Sequence, residues 1–185
     1  THLNALWEQF VRVLESINPR VFVVENVPEF LNSEEFASFE RHVGPDGLGY
    51  KLVAGVLNAA DFRVAQKRRR AFTIGVKGQH DPKLPIVDGE VDHRTLSGTI
   101  KSLPKPAKSN VVFDSDHRRS GFELHFLRNP TDLSLRRYSL VPPGGNRFDL
   151  MRRAPEITPK CWIEQPTGFN DVFGRLVWDS PSVTI

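Results

Sequence analysis

The stretch Val21-Phe22-Val23-Val24-Glu25-Asn26-Val27-Pro28 decides how the rest of the chain is read. Four apolar residues, three of them β-branched, lead straight into an acid and an amide, with Pro19 and Pro28 on either side. A short, continuously apolar run of this kind is expected of a strand buried on both faces of a parallel sheet. Glu25 and Asn26 then stand where the strand ends, and open α/β sheets bind ligands just beyond the carboxyl ends of their strands. A glutamate in that place can equally be a simple cap on the next helix, so the pair needs support from elsewhere in the chain.

Outward from this strand the pattern stays regular. On its N-terminal side, Leu3, Leu6, Trp7, Phe10, Val11, Leu14 and Ile17 recur at the spacing of one helical face, with Thr1 as N-cap and Pro19 as the stop. On its C-terminal side, Asn32 or Ser33 can cap a helix whose first turn holds Glu34 and Glu35 and whose face carries Phe36 and Phe39. A loop at Gly44-Pro45-Asp46-Gly47 leads to a strand over Tyr50–Leu57, a turn over Asn58–Phe62 and a strand over Ala71–Val76. Helix, strand, helix, strand, loop, strand is half of a doubly wound α/β sheet. From Gly78 onward the chain is rich in Pro, Gly, Asp and Lys, with one short helical turn expected over Thr99–Leu103. Short apolar stretches then alternate with turn signals such as Pro142-Pro143-Gly144-Gly145-Asn146, which predicts a small, irregular, mixed α+β domain. Arg175–Asp179 and Ser182–Ile185 are expected to be extended. The division that follows is 1–78, 79–174 and 175–185.

Composition narrows the function classes. Hydrophobic residues make up 39%, enough for a core, so disorder is not expected. No apolar run approaches the roughly 20 residues of a membrane helix, and no signal peptide is visible, so no membrane association is expected. The single cysteine, Cys161, excludes a disulfide framework and suits a reducing cytoplasm; beside Trp162 and Ile163 it is expected to be a small buried apolar residue. The chain opens without methionine and stops inside an apparent strand, so a piece of a longer protein is expected. Residues 1–60 carry a net −4 and the remainder +7, with basic clusters at Lys67-Arg68-Arg69-Arg70, Arg118-Arg119, Arg136-Arg137 and Arg152-Arg153. One arginine pair is ordinarily a solvated surface; four clusters beside an acidic first part point to a polyanion.

The first of these clusters supplies the support that Glu25 and Asn26 need. Gln66-Lys67-Arg68-Arg69-Arg70 runs directly into a strand, and alternate residues of a strand share a face. Gln66, Arg68 and Arg70 therefore point one way, presenting an amide and two guanidiniums together. Guanidinium offers planar, paired donors suited to phosphates and base edges. The plain alternative is a solvated edge strand.

Together the two stretches resemble the DNA (cytosine-5) methyltransferases. Glu25-Asn26-Val27 matches that family's "ENV" motif, and Gln66, Arg68 and Arg70 match its "QxRxR" motif. Leu57-Asn58-Ala59-Ala60-Asp61-Phe62 is similar to the family's lead-in to the second motif, although Arg63-Val64-Ala65-Gln66 stands where Gly-Val-Pro-Gln is usual. Pro142-Pro143-Gly144-Gly145-Asn146-Arg147 resembles the glycine-rich stretch of bacterial target-recognition domains, and residues 174–185 resemble the lead-in to the ninth motif. The resemblance covers nearly the whole chain. It implies the C-terminal half of a Rossmann-like catalytic sheet (1–78), a target-recognition domain (79–174) and a return segment (175–185).

The resemblance also implies a chemistry. The family transfers a methyl group from S-adenosylmethionine to carbon 5 of a cytosine flipped out of double-stranded DNA, after a cysteine thiolate has added to carbon 6. It implies that Glu25 holds ring N3 and the exocyclic amine, that Asn26 anchors the loop carrying the nucleophile, and that Arg68 and Arg70 hold the O2 edge and nearby groups, Arg70 being favoured for the base. Gln66, Gly144, Gly145, Asn146 and Arg147 are implied on the DNA side. The Pro-Cys nucleophile motif and the Phe-x-Gly-x-Gly donor loop are missing from these residues, and Cys161 has neither the context nor the order to replace the first. The chain is thus expected to contain no nucleophile, no donor site and no metal, and to be inactive alone, its N- and C-terminal parts lying elsewhere in one protein. A bacterial, cytoplasmic restriction–modification enzyme, monomeric when intact, is the leading expectation. A separate DNA-recognition subunit and a transfer-RNA cytosine-5 methyltransferase are the alternatives.

Overall fold

Helix α1 (Leu6–Ile17) forms where apolar residues recur at helical spacing and ends ahead of Pro19. The computed structural model describes residues 6–89, 91–103, 130–168 and 172–184. Thr1 and Leu3 lie outside the described residues, as do residues 104–129 with the Arg118-Arg119 pair. Val11 and Leu14 are buried and Trp7 and Phe10 pack beside them. Leu6 and Ile17, expected on the same face, are instead 64% and 69% exposed. At about 100° per residue both fall on the flank of the stripe and not at its centre.

Three strands follow: β1 (Val21–Asn26), β2 (Lys51–Asn58) and, after the two-residue β3 (Gln66–Lys67), β4 (Arg69–Val76). The sheet order is β1-β4-β2, and both outer strands run antiparallel to β4, with Glu25 opposite Phe72 and Leu57 opposite Arg70. The expected parallel pairing is corrected here. Parallel neighbours need a crossover of about a dozen residues or more, whereas β2 reaches β4 through the tight turn Ala59–Phe62 and β3. β1 and β2, joined across helix α2 (Glu34–Val43), point the same way with β4 between them.

The expectation of a strand buried on both faces is corrected too. Phe22 is buried, but Val21 and Val23 are 54% and 56% exposed. Side chains alternate along a strand, so Phe22, Val24 and Asn26 share one face and Val21, Val23 and Glu25 the other. The first face packs on the helices, in a core of Val11, Leu14, Phe22, Phe36, Phe39, Val43 and Tyr50. Phe22 sits edge-on to Tyr50 at 4.9 Å and to Phe39 at 6.0 Å. Position 75 on β4 must be glycine for that ring to fit, since a Cβ there would lie 2.2 Å from Phe22 Cε1.

Of the two expected caps of α2, Ser33 is the one used. Its Oγ accepts from Phe36 N–H at 3.1 Å and donates to the Phe30 carbonyl at 2.7 Å. Replacing Ser33 with alanine is expected to lower the stability of the first unit by about 1 kcal/mol, and aspartate to restore most of it. Urea denaturation followed by circular dichroism checks this, and an unchanged midpoint for the alanine variant removes the cap from the account.

The chain divides into two compact units between Arg94 and Thr95. In the second, α3 (Leu96–Ile100) starts at Thr95, whose Oγ1 accepts from Gly98 N–H at 3.2 Å. The helical turn thus begins three residues before the expected Thr99. Helices α4 (Asp132–Leu140), α5 (Arg147–Arg153) and α6 (Lys160–Glu164) follow, then the short strand β5 (Ser182–Val183). Val141, Leu150 and Ala154 form the buried centre, with Trp162 and Phe173 against it. Arg175–Asp179, expected to be extended, holds no regular element; its first residue exchanges backbone hydrogen bonds with the glycine turn, Gly144 N–H to Arg175 O at 2.8 Å and Arg175 N–H to Gly145 O at 2.9 Å. Among the described residues no helix is long and apolar enough to cross a membrane.

Candidate active site

The sheet's alternation sends Glu25 and Asn26 to opposite sides. Glu25 points away from the helices, toward the side that also carries Arg70, because Arg70 stands two residues along β4 from Phe72, the partner of Glu25. Arg70 Nε meets Glu25 Oε1 at 3.0 Å, and Arg68 Nη2 meets the same oxygen at 3.5 Å. A further bond, Arg70 Nη1 to its neighbour's Arg69 carbonyl at 2.8 Å, fixes the better-buried of the two guanidiniums. Two residues forty-three or more positions from Glu25 therefore converge on one carboxylate oxygen.

The strand-like alternation expected through the basic run persists although the strand breaks. Gln66, Arg68 and Arg70 are half-buried and Lys67 and Arg69 exposed, but β3 stops at Lys67 and β4 starts at Arg69, leaving Arg68 between them. The ion pairs are too exposed to be a large source of stability, since such surface pairs contribute about 0–1 kcal/mol. Their effect is geometric: one carboxylate is framed by two planar donors on an accessible face.

Asn26 faces the helices. Its Oδ1 accepts from Val27 N–H at 2.8 Å. With Trp7, Phe10, Val24, Phe30 and Phe39 it lines an open pocket of about 600 Å³ between α1, the end of β1 and α2. The polar pair at the strand end thus serves two separate places, one charged and one largely aromatic.

In the second unit, Gly144 holds a φ of +77°, which favours glycine. Asn146 caps α5 in a reciprocal box: its Oδ1 accepts from Phe148 N–H at 2.9 Å, and its own N–H donates to Asp149 Oδ2 at 2.9 Å. That bond from the Asn146 backbone holds the Asp149 carboxyl below the usual carboxylate range, with Arg152 and Arg153 adding to the effect. Arg147 is buried, 4.6 Å over the Phe148 ring, and its Nε and Nη2 find no hydrogen-bond partner among the described residues. Cys161, expected to be buried, is instead exposed on the short helix α6, in the unit that does not hold Glu25.

Among the described residues the glycine turns do not fit a methyl-donor cradle. Such a cradle needs a glycine turn between a strand and a helix so that backbone can approach the ligand closely. The glycines with positive φ are Gly49, Gly78, Gly89, Gly144 and Gly168, and none of them joins a strand to a following helix in this way. Among the described residues no cluster of three or more His, Cys, Asp or Glu side chains could hold a metal ion. Two residues near Arg68 carry contacts that sequence reasoning passed over: Asp61 and His93, whose Oδ1 and Nε2 are 2.8 Å apart.

Comparison with known proteins bears on this geometry. The sequence profile described as "C-5 cytosine-specific DNA methylase" matches residues 2–131. The Type II methyltransferase M.Eco47II of Escherichia coli is 31% identical over 191 residues, covering 98% of this chain and 42% of its own length. The Type II methylase M.HgiDII of Herpetosiphon aurantiacus is 27% identical over 184 residues, covering 97% of this chain and 49% of its own. The chain therefore spans less than half the length of these relatives. Among solved structures, a protein described as a DNA modification methyltransferase encoded within an Escherichia coli prophage matches at a TM-score of 0.51 and 19% identity, covering 98% of this chain and 57% of its own. At that identity the match establishes a shared mixed α/β, methyltransferase-like fold.

Proposed function

The chain belongs to the C-5 cytosine-specific DNA methylases, and from that we propose that it forms the cytosine-holding part of an S-adenosylmethionine-dependent DNA (cytosine-5-)-methyltransferase of restriction–modification type. The observation that carries the reading is the convergence of Arg68 and Arg70 on Glu25 Oε1. That leaves Oε2 to accept the exocyclic N–H of a flipped-out cytosine while the carboxyl group serves ring N3. With Nε on Glu25 and Nη1 on the Arg69 carbonyl, Arg70 offers its remaining guanidinium N–H groups to the O2 edge, and Arg68 supplies charge toward O2 and the backbone. Negative charge gathers on the ring when a nucleophile adds to carbon 6, and a carboxyl group at N3 answers it by proton donation or a strengthened hydrogen bond.

Asn26, facing the aromatic pocket, anchors the loop that carries the nucleophile. That nucleophile and the methyl donor's site are read as lying outside these 185 residues, so the chain by itself is proposed to be inactive. Residues 1–78 are read as part of the catalytic domain, 79–174 as the target-recognition domain on duplex DNA, and 175–185 as the return to the catalytic domain. Within the recognition region Gly144, Gly145, Asn146 and Arg147 act by shaping the loop and the start of α5, and Gln66 contacts DNA from the catalytic side. The cellular setting proposed is the bacterial cytoplasm, with the intact enzyme a monomer.

The test is Arg70→Ala in the protein that carries this chain. Methylation-sensitive sequencing of a host expressing that protein first identifies its duplex. Tritiated methyl transfer to that duplex is then expected to fall about 10²-fold, the scale for removing one fixed donor from a charge-stabilising site. Full activity in the alanine variant sinks the role given to the basic strand.

A further inference from the structure

Arg68 lies one step beyond the regular β2–β4 ladder, in the gap between β3 and β4; its carbonyl accepts from Ala59 N–H at 3.0 Å, continuing the register in which Asn58 stands opposite Arg69. Ala59 opens the turn Ala59–Phe62, so the shape of that turn sets where Arg68 sits. Side chains brace the turn in their own right. Asn58 Oδ1 accepts from Ala60 N–H at 3.4 Å, and Asn58 Nδ2 donates to Asp61 Oδ1 at 3.1 Å. The same Asp61 oxygen meets His93 Nε2 at 2.8 Å, from thirty-two residues further along.

His93 is brought there by the connector that follows β4, and the connector is fastened to the sheet upstream. Lys51 Nζ meets Asp81 Oδ1 at 2.7 Å. Leu84 lies over Gly55, where a Cβ would come within 2.6 Å of Leu84 Cδ1. Stability alone does not account for the His93 contact: the Asp61 and His93 side chains are 39% and 35% exposed, a setting in which a pair contributes about 0–1 kcal/mol.

We infer that His93 is a positioning residue for Arg68: by clamping Asp61 it holds the turn that keeps Arg68 within reach of Glu25. The inference rests on the reading of Glu25, Arg68 and Arg70 as the base-holding site. The path is His93 to Asp61, Asp61 to Asn58 and the turn, Ala59 to the Arg68 backbone, and Arg68 to Glu25.

Hydrogen exchange at the Ala59 amide, whose acceptor is the Arg68 carbonyl, reads the clamp directly in the full chain. In His93→Ala this amide is expected to exchange roughly 3- to 10-fold faster, the loosening that one lost hydrogen bond permits. His93→Gln keeps a donor for Asp61 and is expected to exchange near the wild-type rate. His93→Phe keeps ring volume without the donor, serves as the second variant should alanine disturb folding, and is expected to match the alanine result. The Phe39 and Val43 amides in the core are expected to keep their protection. In the methylating protein, kcat/KM for duplex DNA is expected to fall by a similar factor in His93→Ala and to recover in His93→Gln. Unchanged Ala59 exchange in both the alanine and phenylalanine variants overturns the clamp whatever the chain catalyses. Faster exchange with unchanged methylation overturns the positioning role while leaving Glu25 and Arg70 in place. Failure of the underlying reading shows separately, as full activity in Arg70→Ala.

Discussion

Replacing Glu25 with glutamine is expected to slow methyl transfer by the protein carrying this chain about 10²- to 10⁴-fold, the range spanned by a positioned proton donor. Glutamine keeps the side chain's length and an oxygen that can accept a hydrogen bond. It removes the charge that draws Arg68 and Arg70 together and, on the role proposed for Glu25, the group that exchanges a proton with ring N3. Both losses fall on the transition state, so the effect belongs in kcat as well as in kcat/KM. Single-turnover transfer of a tritiated methyl group onto the recognised duplex measures the chemical step apart from product release. Folding is expected to be nearly untouched, because Glu25 is half exposed and its ion pairs are surface pairs. A decrease of less than about threefold, with the thermal midpoint unchanged, would remove Glu25 from the chemistry, since no effect of the size expected for acid catalysis would remain.

Replacing Phe39 with alanine is expected to cost the first unit about 3–5 kcal/mol, the usual penalty for emptying an aromatic site in a packed core. Phe39 is 1% exposed, and its ring meets those of Phe10, Phe22 and Phe36 at 6.2, 6.0 and 6.4 Å. The ring thus joins α1, β1 and α2, and its loss leaves a void that none of these elements can close without losing its other contacts. Domains of this size carry about 5–15 kcal/mol in all, so the variant is expected near its unfolding transition at ambient temperature. Urea unfolding of both proteins provides the number. A difference below about 1 kcal/mol would mean that the core rearranges around the gap, which close packing of this kind does not allow.

Much of the local structure was legible before any tertiary contact was known. The apolar run ending at Glu25 is a strand, the serine at position 33 is a cap, and the turn after Asn58 forms where its small and polar residues place it. These features depend on neighbours a few residues apart, which sequence displays. The stripe on α1 was legible at its centre and not at its ends, because burial at Leu6 and Ile17 depends on what the rest of the fold lays against them. The candidate site was half legible. Glu25, Arg68 and Arg70 could be named from their motifs, and the alternation of a strand already put the arginines on one face. That they meet at one oxygen follows from pairing register, whereas Asn26 turns to the opposite side by the alternation of the strand itself.

Sequence alone determined the family, the main helices and strands of the first unit and the residue types at the candidate site. Those rest on short-range periodicity and on motifs whose spacing survives in the chain. Tertiary structure alone decided that β4 lies between β1 and β2 and antiparallel to both, because strand direction is set by how far each connection must travel. It also decided the contact between His93 and Asp61. His93 stands in an irregular segment with no periodicity, and its partner Asp61 is thirty-two residues away. A contact of that kind exists only once the connector has been laid on the sheet by Lys51 and Leu84, and no local pattern in the chain encodes it.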